Sequence, residues 1–355
     1  MARLAREFRG LTQTAVADRG GPSQTRLSRI EAGTLPASGE DLAALSRVLE
    51  FPAEFFRDPG TPAAAPLFRK RAIRSTKKLA TIQARLNTSV LIAKRLLDAG
   101  IEIDPPNLFP EPGGFASDAP YEAAAALRRD WRLPNGRIED VTTVIENAGG
   151  VVLRVDFGSD DASAAFLTLP DDARMWFLVN VREESGDRVR LSLSHELGHA
   201  VLHRLLPSVD EGETEEQAFS FAVAFLLPPD HFDRQIPFDA LTLTKARALK
   251  AQFGVSIAAI VRTAYERKRI SRARYTSLYK QISARQWRKR EPDPLPVERS
   301  HIWPVSLAVH REEHGYTEHD LADIAHVDVE LLGELFPEDF RRRPRLRPVA
   351  VTSAS

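Results

Sequence analysis

The sequence predicts a mostly α-helical protein with a small β-sheet, an α+β chain with an all-α N-terminal module, a mixed central module and a helical C-terminal region. Three observations carry that expectation. First, three apolar runs of strand length follow one another, "GVVLRVDF", "SAAFLTL" and "RMWFLVNV", rich in β-branched and aromatic residues. Second, the chain on either side of them shows three- and four-residue hydrophobic spacing. Third, "RDPGTPAAAP", "IEIDPPNLFPEPGG" and "EPDPLPVERSHIWP" break the pattern with prolines, as linkers do.

These breaks divide the chain into residues 1–57, a connector at 58–117, a central core at 118–240, a helical extension at 241–290 and a final unit at 291–355. The first part reads as short helices with tight turns. The connector holds a basic helical stretch from Leu67 to Leu97 without one acidic residue. In the core, "APYEAAAALRRDWRL" and "RIEDVTTVIENAG" read as helices, the second stopped by Gly149 and Gly150. The strands come next, then the helix "LSLSHELGHAVLHR". "LTKARALKAQFGVSIAAIVRTAYERKRISRARYTSLYKQISARQW" is helical again, and "EHDLADIAHVDVELLGELF" forms a small helical unit. The tail "RRRPRLRPVAVTSAS" reads as disordered. The basic runs read as solvated helix faces, with contact to phosphates as the alternative.

Composition removes several classes. Forty-nine basic residues balance 49 acidic ones, so no global field draws the chain to nucleic acid or an anionic membrane. With no cysteine, disulfides and thiolate metal sites are excluded. The N-terminus lacks the pattern of a secretory signal, and the apolar run "FSFAVAFLL" is about half the length a membrane span needs. The expectation is a soluble cytoplasmic protein without a membrane partner.

The chemistry concentrates at His195-Glu196-x-x-His199. Residues four apart share a helix face, so His195 and His199 can present two imidazoles to one ion, with Glu196 at its edge as a general base. Gly198 costs about 1 kcal/mol of helix stability against alanine, which a close approach of another backbone would explain. The ion is expected to be zinc. His203 lies four residues further on, but each such step drifts about 40° and advances about 6 Å, so three side chains of one straight helix cannot converge. It reads as a packed or helix-end histidine.

The third ligand is sought in "SVDEGETEEQAFSFAVAFLLPPD". Thr214 and Gln217 have capping-box spacing, which starts a helix near Glu215. Glu215, Ala218, Phe219, Ala222, Phe225 and Leu226 then share one face, apolar except for Glu215. Glu213 and Glu216 fall off that stripe as solvated charges. Glu215 is therefore the expected ligand.

"RVRLSLSHELGHAVLHR" followed by "EEQAFSFAVAFLLPP" resembles the ImmA/IrrE metallopeptidase family. The resemblance implies a zincin-like metallopeptidase domain with zinc held by His195, His199 and Glu215, and Glu196 as the base of peptide hydrolysis. The family's usual asparagine is replaced by Phe219. A substrate peptide is expected beside an edge strand; the candidate is "RMWFLVNV", with Asn180 near its end.

In the first 57 residues, "TQTAVADRG", the turn "GGP" and "SQTRLSRIEAG" have helix-turn-helix spacing, with Leu27 and Ile30 inward and Gly33 at the end. With Gln13, Ser23-Gln24 and Arg29-Ile30-Glu31, this resembles the XRE family of DNA-binding domains. The resemblance implies that the second helix enters the major groove of an operator. Ser23, Gln24, Thr25, Arg26 and Ser28 would contact the DNA, and Gln13 and Arg29 would lie near phosphates. Palindromic operators are read by dimers, so a homodimer is expected. Three functions fit: a regulator with a live zinc endopeptidase cutting a regulatory protein such as a repressor in a stress-response or phage-like circuit; a transcription factor whose peptidase fold only senses or dimerises; and an antitoxin-like partner of a toxin.

Overall fold

The computed structural model describes residues 1–57, 75–100, 107–111, 113–116, 119–204, 211–287 and 290–340. The linker after Arg57, the basic run ahead of Ser75 and the tail after Phe340 lie outside the described residues.

The chain opens with α1 (Ala2–Phe8), α2 (Gln13–Asp18), α3 (Gln24–Glu31), α4 (Gly39–Leu49) and α5 (Ala53–Arg57). Three hydroxyls start three of these helices. Thr12 accepts from the Ala15 N–H, Ser23 from Arg26 N–H, and Ser38 makes a reciprocal capping box with Asp41. After α3 the chain turns at Gly33, whose φ of +71° suits a residue without a Cβ. Leu4, Phe8, Val16, Leu27, Leu45, Phe51 and Phe55 are buried beneath.

Helix α6 (Thr76–Gly100) is buried along its middle, from Ile82 to Ala93 with one short gap, because it is packed on several sides. Next come α7 (Pro120–Asp130) and α8 (Val141–Asn147), then β1 (Gly150–Val155), β2 (Ala164–Thr168) and β3 (Met175–Asn180). The strand order is β1-β3-β2, with β3 parallel to β1 and antiparallel to β2. Both faces are covered, which is why the strands read as near-continuous apolar runs. Val151, Leu153, Trp176 and Leu178 join one core; Val152, Phe166, Phe177 and Val179 join the other.

The second core is built by α9 (Gly186–Leu202), α10 (Glu211–Leu226), α11 (Pro229–Gln235), α12 (Leu243–Phe253), α13 (Ile257–Glu266) and α14 (Arg272–Ala284). A Cβ on Gly198 of α9 would stand 3.0 Å from the Ala218 carbonyl oxygen of α10. The close backbone approach expected at that glycine is thus present. The first core combines the N-terminal helices, α6 and one sheet face with α15 (Ile302–Ala308), α16 (Glu318–Ile324) and α17 (Val329–Leu335). At their junction Glu334 accepts from Arg9 at 3.1 Å and from Arg85 at 2.6 Å.

The proline-rich stretch before α15 is a strap rather than a simple break. Glu291 accepts the N–H groups of Ile257 and Ala258 at the start of α13. Glu298 accepts those of Val141 and Thr142 at the start of α8, and pairs with the buried Arg190 of α9. These carboxylates take first-turn N–H groups that the local caps, Asp140 on Thr143 and Ser256 on Ala259, do not reach. Lys250, 1% exposed, bridges Asp187 at 3.0 Å and Glu291 at 2.9 Å. The start of α9 is thereby tied to α12 and the strap.

Candidate metal centre and nucleic-acid interface

Two helices supply the candidate metal site. His195 and His199 project from one face of α9, and Glu215 reaches them from the second turn of α10. Their Nε2 atoms stand 3.2 Å apart; Glu215 Oε1 is 3.4 Å from His199 Nε2, and Oε2 is 3.5 Å from His195 Nε2. Ligand atoms on a tetrahedral zinc at about 2.0–2.2 Å stand roughly 3.3–3.6 Å from one another. Imidazole nitrogens and a carboxylate suit that ion, and the triangle has its dimensions. Among the described residues, the buried oxygen Glu196 Oε2 has no hydrogen-bond partner, and Glu215 Oε2 has only the long 3.5 Å approach of His195 Nε2, as expected of groups facing a cation site.

The electrostatics follow the same geometry. Burial pushes the His199 imidazole down to about 4, against the hydrogen bond it would donate to Glu215, which raises it. Burial works against Glu215 as a carboxylate, but hydrogen bonds and charge from His195 and His199 outweigh it and hold Glu215 below the usual range. Burial, reinforced by the Glu215 charge, raises Glu196 well above the ordinary value, and the Phe166 backbone N–H opposes this.

That Phe166 contact corrects the reading of the sheet. β3 lies between β1 and β2, so "RMWFLVNV" is the central strand and not an edge. Asn180 is 1% exposed, and its amide donates to the carbonyls of Ser159 at 2.6 Å and Ala162 at 2.9 Å. It anchors the loop into β2 and is unavailable to a peptide. The edge beside the site is β2. Asn180 N–H bonds the Ser163 carbonyl, so alternation along the antiparallel pair turns the Phe166 N–H away from β3 and toward Glu196.

Helix α10 begins at Glu211, four residues before the expected start, so Thr214 and Gln217 do not cap it. Gln217 instead accepts a hydrogen bond at Oε1 from His203, 2.8 Å away, and donates to Glu213 at 3.1 Å. His203, at the C-terminal cap of α9, places Nδ1 3.1 Å from His199 Nδ1, on the side of the ring away from the ligand triangle. Sequence reasoning gave neither residue a part in the site. The available signal was the i, i+4, i+8 spacing of the three histidines.

On α3, Gln24 donates to Gln13 at 2.9 Å, Gln13 donates to Glu31 at 2.9 Å, and Arg6 holds Glu31 through two bonds of 2.6 and 2.8 Å. Both glutamines are therefore fixed through a residue of the helix they adjoin. Thr25 and Arg29 are exposed, Ser28 is half-buried, and the Ser23 hydroxyl caps α3. The Arg26 guanidinium forms two bonds of 2.6 Å to Asp41 of α4, a bidentate pair within the domain.

Among the described residues, no helix is long and apolar enough to cross a membrane. Residues 2–55 match a family model described as a helix-turn-helix domain. Residues 145–265, which span the ligand triangle and β2, match one described as an IrrE N-terminal-like domain. None of the curated proteins matches the chain.

Proposed function

A helix-turn-helix domain and an IrrE N-terminal-like domain are joined in this chain, and we propose on that basis that it is a DNA-binding transcriptional regulator carrying a zinc-dependent endopeptidase site. The observation that carries the catalytic half is the triangle of His195, His199 and Glu215 with buried Glu196 beside it. Bound zinc would act as a Lewis acid toward water and the scissile carbonyl. Glu196, released from its burial penalty by a neighbouring cation, would take a proton at Oε2 and deliver it to the leaving amine. A substrate strand added along β2 would lie next to Glu196, because that edge already offers the Phe166 N–H to it. The substrate is a regulatory protein, and the partners are an operator duplex and a second copy of the chain. Phe219, in place of the asparagine usual in the ImmA/IrrE family, favours a second reading, a zinc-stabilised sensor without proteolysis.

The metal assignment is tested by titration. One zinc per chain is expected, and Glu215→Ala should weaken binding far more than Glu213→Ala or Glu216→Ala, read by competition with a chromophoric chelator. Equal retention by all three variants would remove Glu215 from the ligand set.

The DNA assignment has its own test. Gln24→Ala with Thr25→Ala should lower affinity for a duplex selected from a random pool by roughly 10- to 100-fold, as for the loss of a good base contact. Arg26→Ala should instead lower the melting temperature, since it leaves Asp41 without its guanidinium. Unchanged binding by the double variant would show that α3 does not read the bases.

A further inference from the structure

The hydrogen bonds behind His199 run in a line: His199 Nδ1 to His203 Nδ1 at 3.1 Å, His203 Nε2 to Gln217 Oε1 at 2.8 Å, and Gln217 Nε2 to Glu213 Oε1 at 3.1 Å. We propose that His203 and Gln217 are positioning residues that set the tautomer and ring orientation of His199 as a metal ligand, through a chain of donors that all point the same way. The proposal rests on the metal reading above.

The direction follows from one constraint. His199 turns Nε2 toward His195 and Glu215, so Nε2 is the ligand atom and must carry no proton. A neutral imidazole then carries its proton on Nδ1. Among the described residues, His203 Nδ1 lies opposite, and it must therefore accept. That places the His203 proton on Nε2, where the Gln217 carbonyl oxygen receives it. The Gln217 amide group is left as a donor, and Glu213, exposed at the surface, ends the chain with a carboxylate that can only accept. Reversing any one member would set two donors or two acceptors face to face. His203 is 3% exposed and Gln217 8%, so water does not readily substitute for either.

The helix geometry makes this possible. The drift of about 40° per four residues carries His203 past the triangle, so it stands behind the second ligand instead of joining it. The early start of α10 at Glu211 puts Gln217 well inside the helix and rigid, and Glu213 one turn before it. A ligating histidine needs a partner on its other nitrogen, most often a carboxylate or a backbone carbonyl; here a second histidine fills that place.

Long-range proton–nitrogen correlation on protein labelled at its nine histidines tests the direction without any substitution. In the zinc-loaded parent, His203 should be protonated at Nε2 and His199 at Nδ1. Gln217→Leu should weaken zinc binding by about 10- to 100-fold and mix the His203 tautomers, with its metal-free melting temperature near that of the parent. Gln217→Glu keeps an acceptor for the His203 N–H and should restore most of the affinity. His203 protonated at Nδ1 in the loaded parent, or Gln217→Leu binding zinc as tightly as the parent, would overturn the chain while leaving the metal site standing. A parent that takes no zinc would sink the metal reading itself, and this one with it.

Discussion

Glu196→Gln is expected to bind zinc and DNA as the parent does and to lose peptide cleavage by on the order of 10²–10⁴-fold, the usual cost of a missing general base. The substitution keeps the shape of the side chain in a site where it is 3% exposed, and it removes no ligand of the His195, His199 and Glu215 triangle. A glutamine Oε1 can still accept from the Phe166 N–H, so the edge strand should stay where it is. Hydrolysis of a quenched fluorescent peptide library measures the loss. Promoter output in cells carrying the parent, Glu196→Gln or His195→Ala extends the test to regulation. If Glu196→Gln regulates as the parent does while His195→Ala fails, zinc matters and bond cleavage does not, and the sensor reading stands.

The largest effect on stability is expected far from that site, at Lys250. Lys250→Met strips the cation from Asp187 and Glu291, leaving buried carboxylates, and should cost on the order of 3–5 kcal/mol in chemical denaturation at neutral pH. The sign of its pH dependence is also fixed. Burial tends to raise Asp187, but the Ser185 hydroxyl and the Lys250 charge outweigh it and hold its pKa below the ordinary value. Asp187 therefore stabilises the parent above about pH 4, and that contribution fades as pH falls through its depressed folded pKa. In Lys250→Met the Ser185 hydroxyl still lowers Asp187 but the lysine's share is gone, so protonation costs less and the gap between variant and parent should narrow on acidification. Adding Asp187→Asn should recover part of the loss at neutral pH. A Lys250→Met protein as stable as the parent would show that the ion cluster contributes little.

Much of the candidate metal site could be read from the sequence because its information is local. His195 and His199 share a face by helical spacing alone, and Glu215 was singled out as the one charge on an apolar stripe. The caps at Thr12 and Ser23 are equally local, each hydroxyl accepting from an N–H three residues away, yet Ser23 was assigned to DNA instead. The strand order was not. All three strands are apolar on both faces, so nothing in their pattern says which one lies in the middle, and Asn180 was placed on an edge that β3 does not have. The pairing of Arg26 went unseen for a related reason, because Asp41 belongs to another helix fifteen residues on. Gln217 had a spacing that fitted a cap, and only the fold brings it to His203. The strap was hidden by its prolines, which marked a break, while Glu291 and Glu298 were serving the ends of helices far away in sequence.

The first core draws on both ends of the chain, and this bears on how the protein is made. Leu4 and Phe8 belong to the same cluster as Leu332 and Phe336, and Arg9 meets Glu334. On a ribosome adding about 5–20 residues per second, roughly 15–60 s separate the emergence of the first of these groups from that of the last. Through that interval the nascent N-terminal helices present an apolar flank with nothing yet to cover it. Closing the core late, across more than 300 residues of intervening chain, is also slow for entropic reasons. A truncated translation product would therefore carry the helix-turn-helix unit on an unfinished support, exposed to chaperones and proteases that the completed chain escapes.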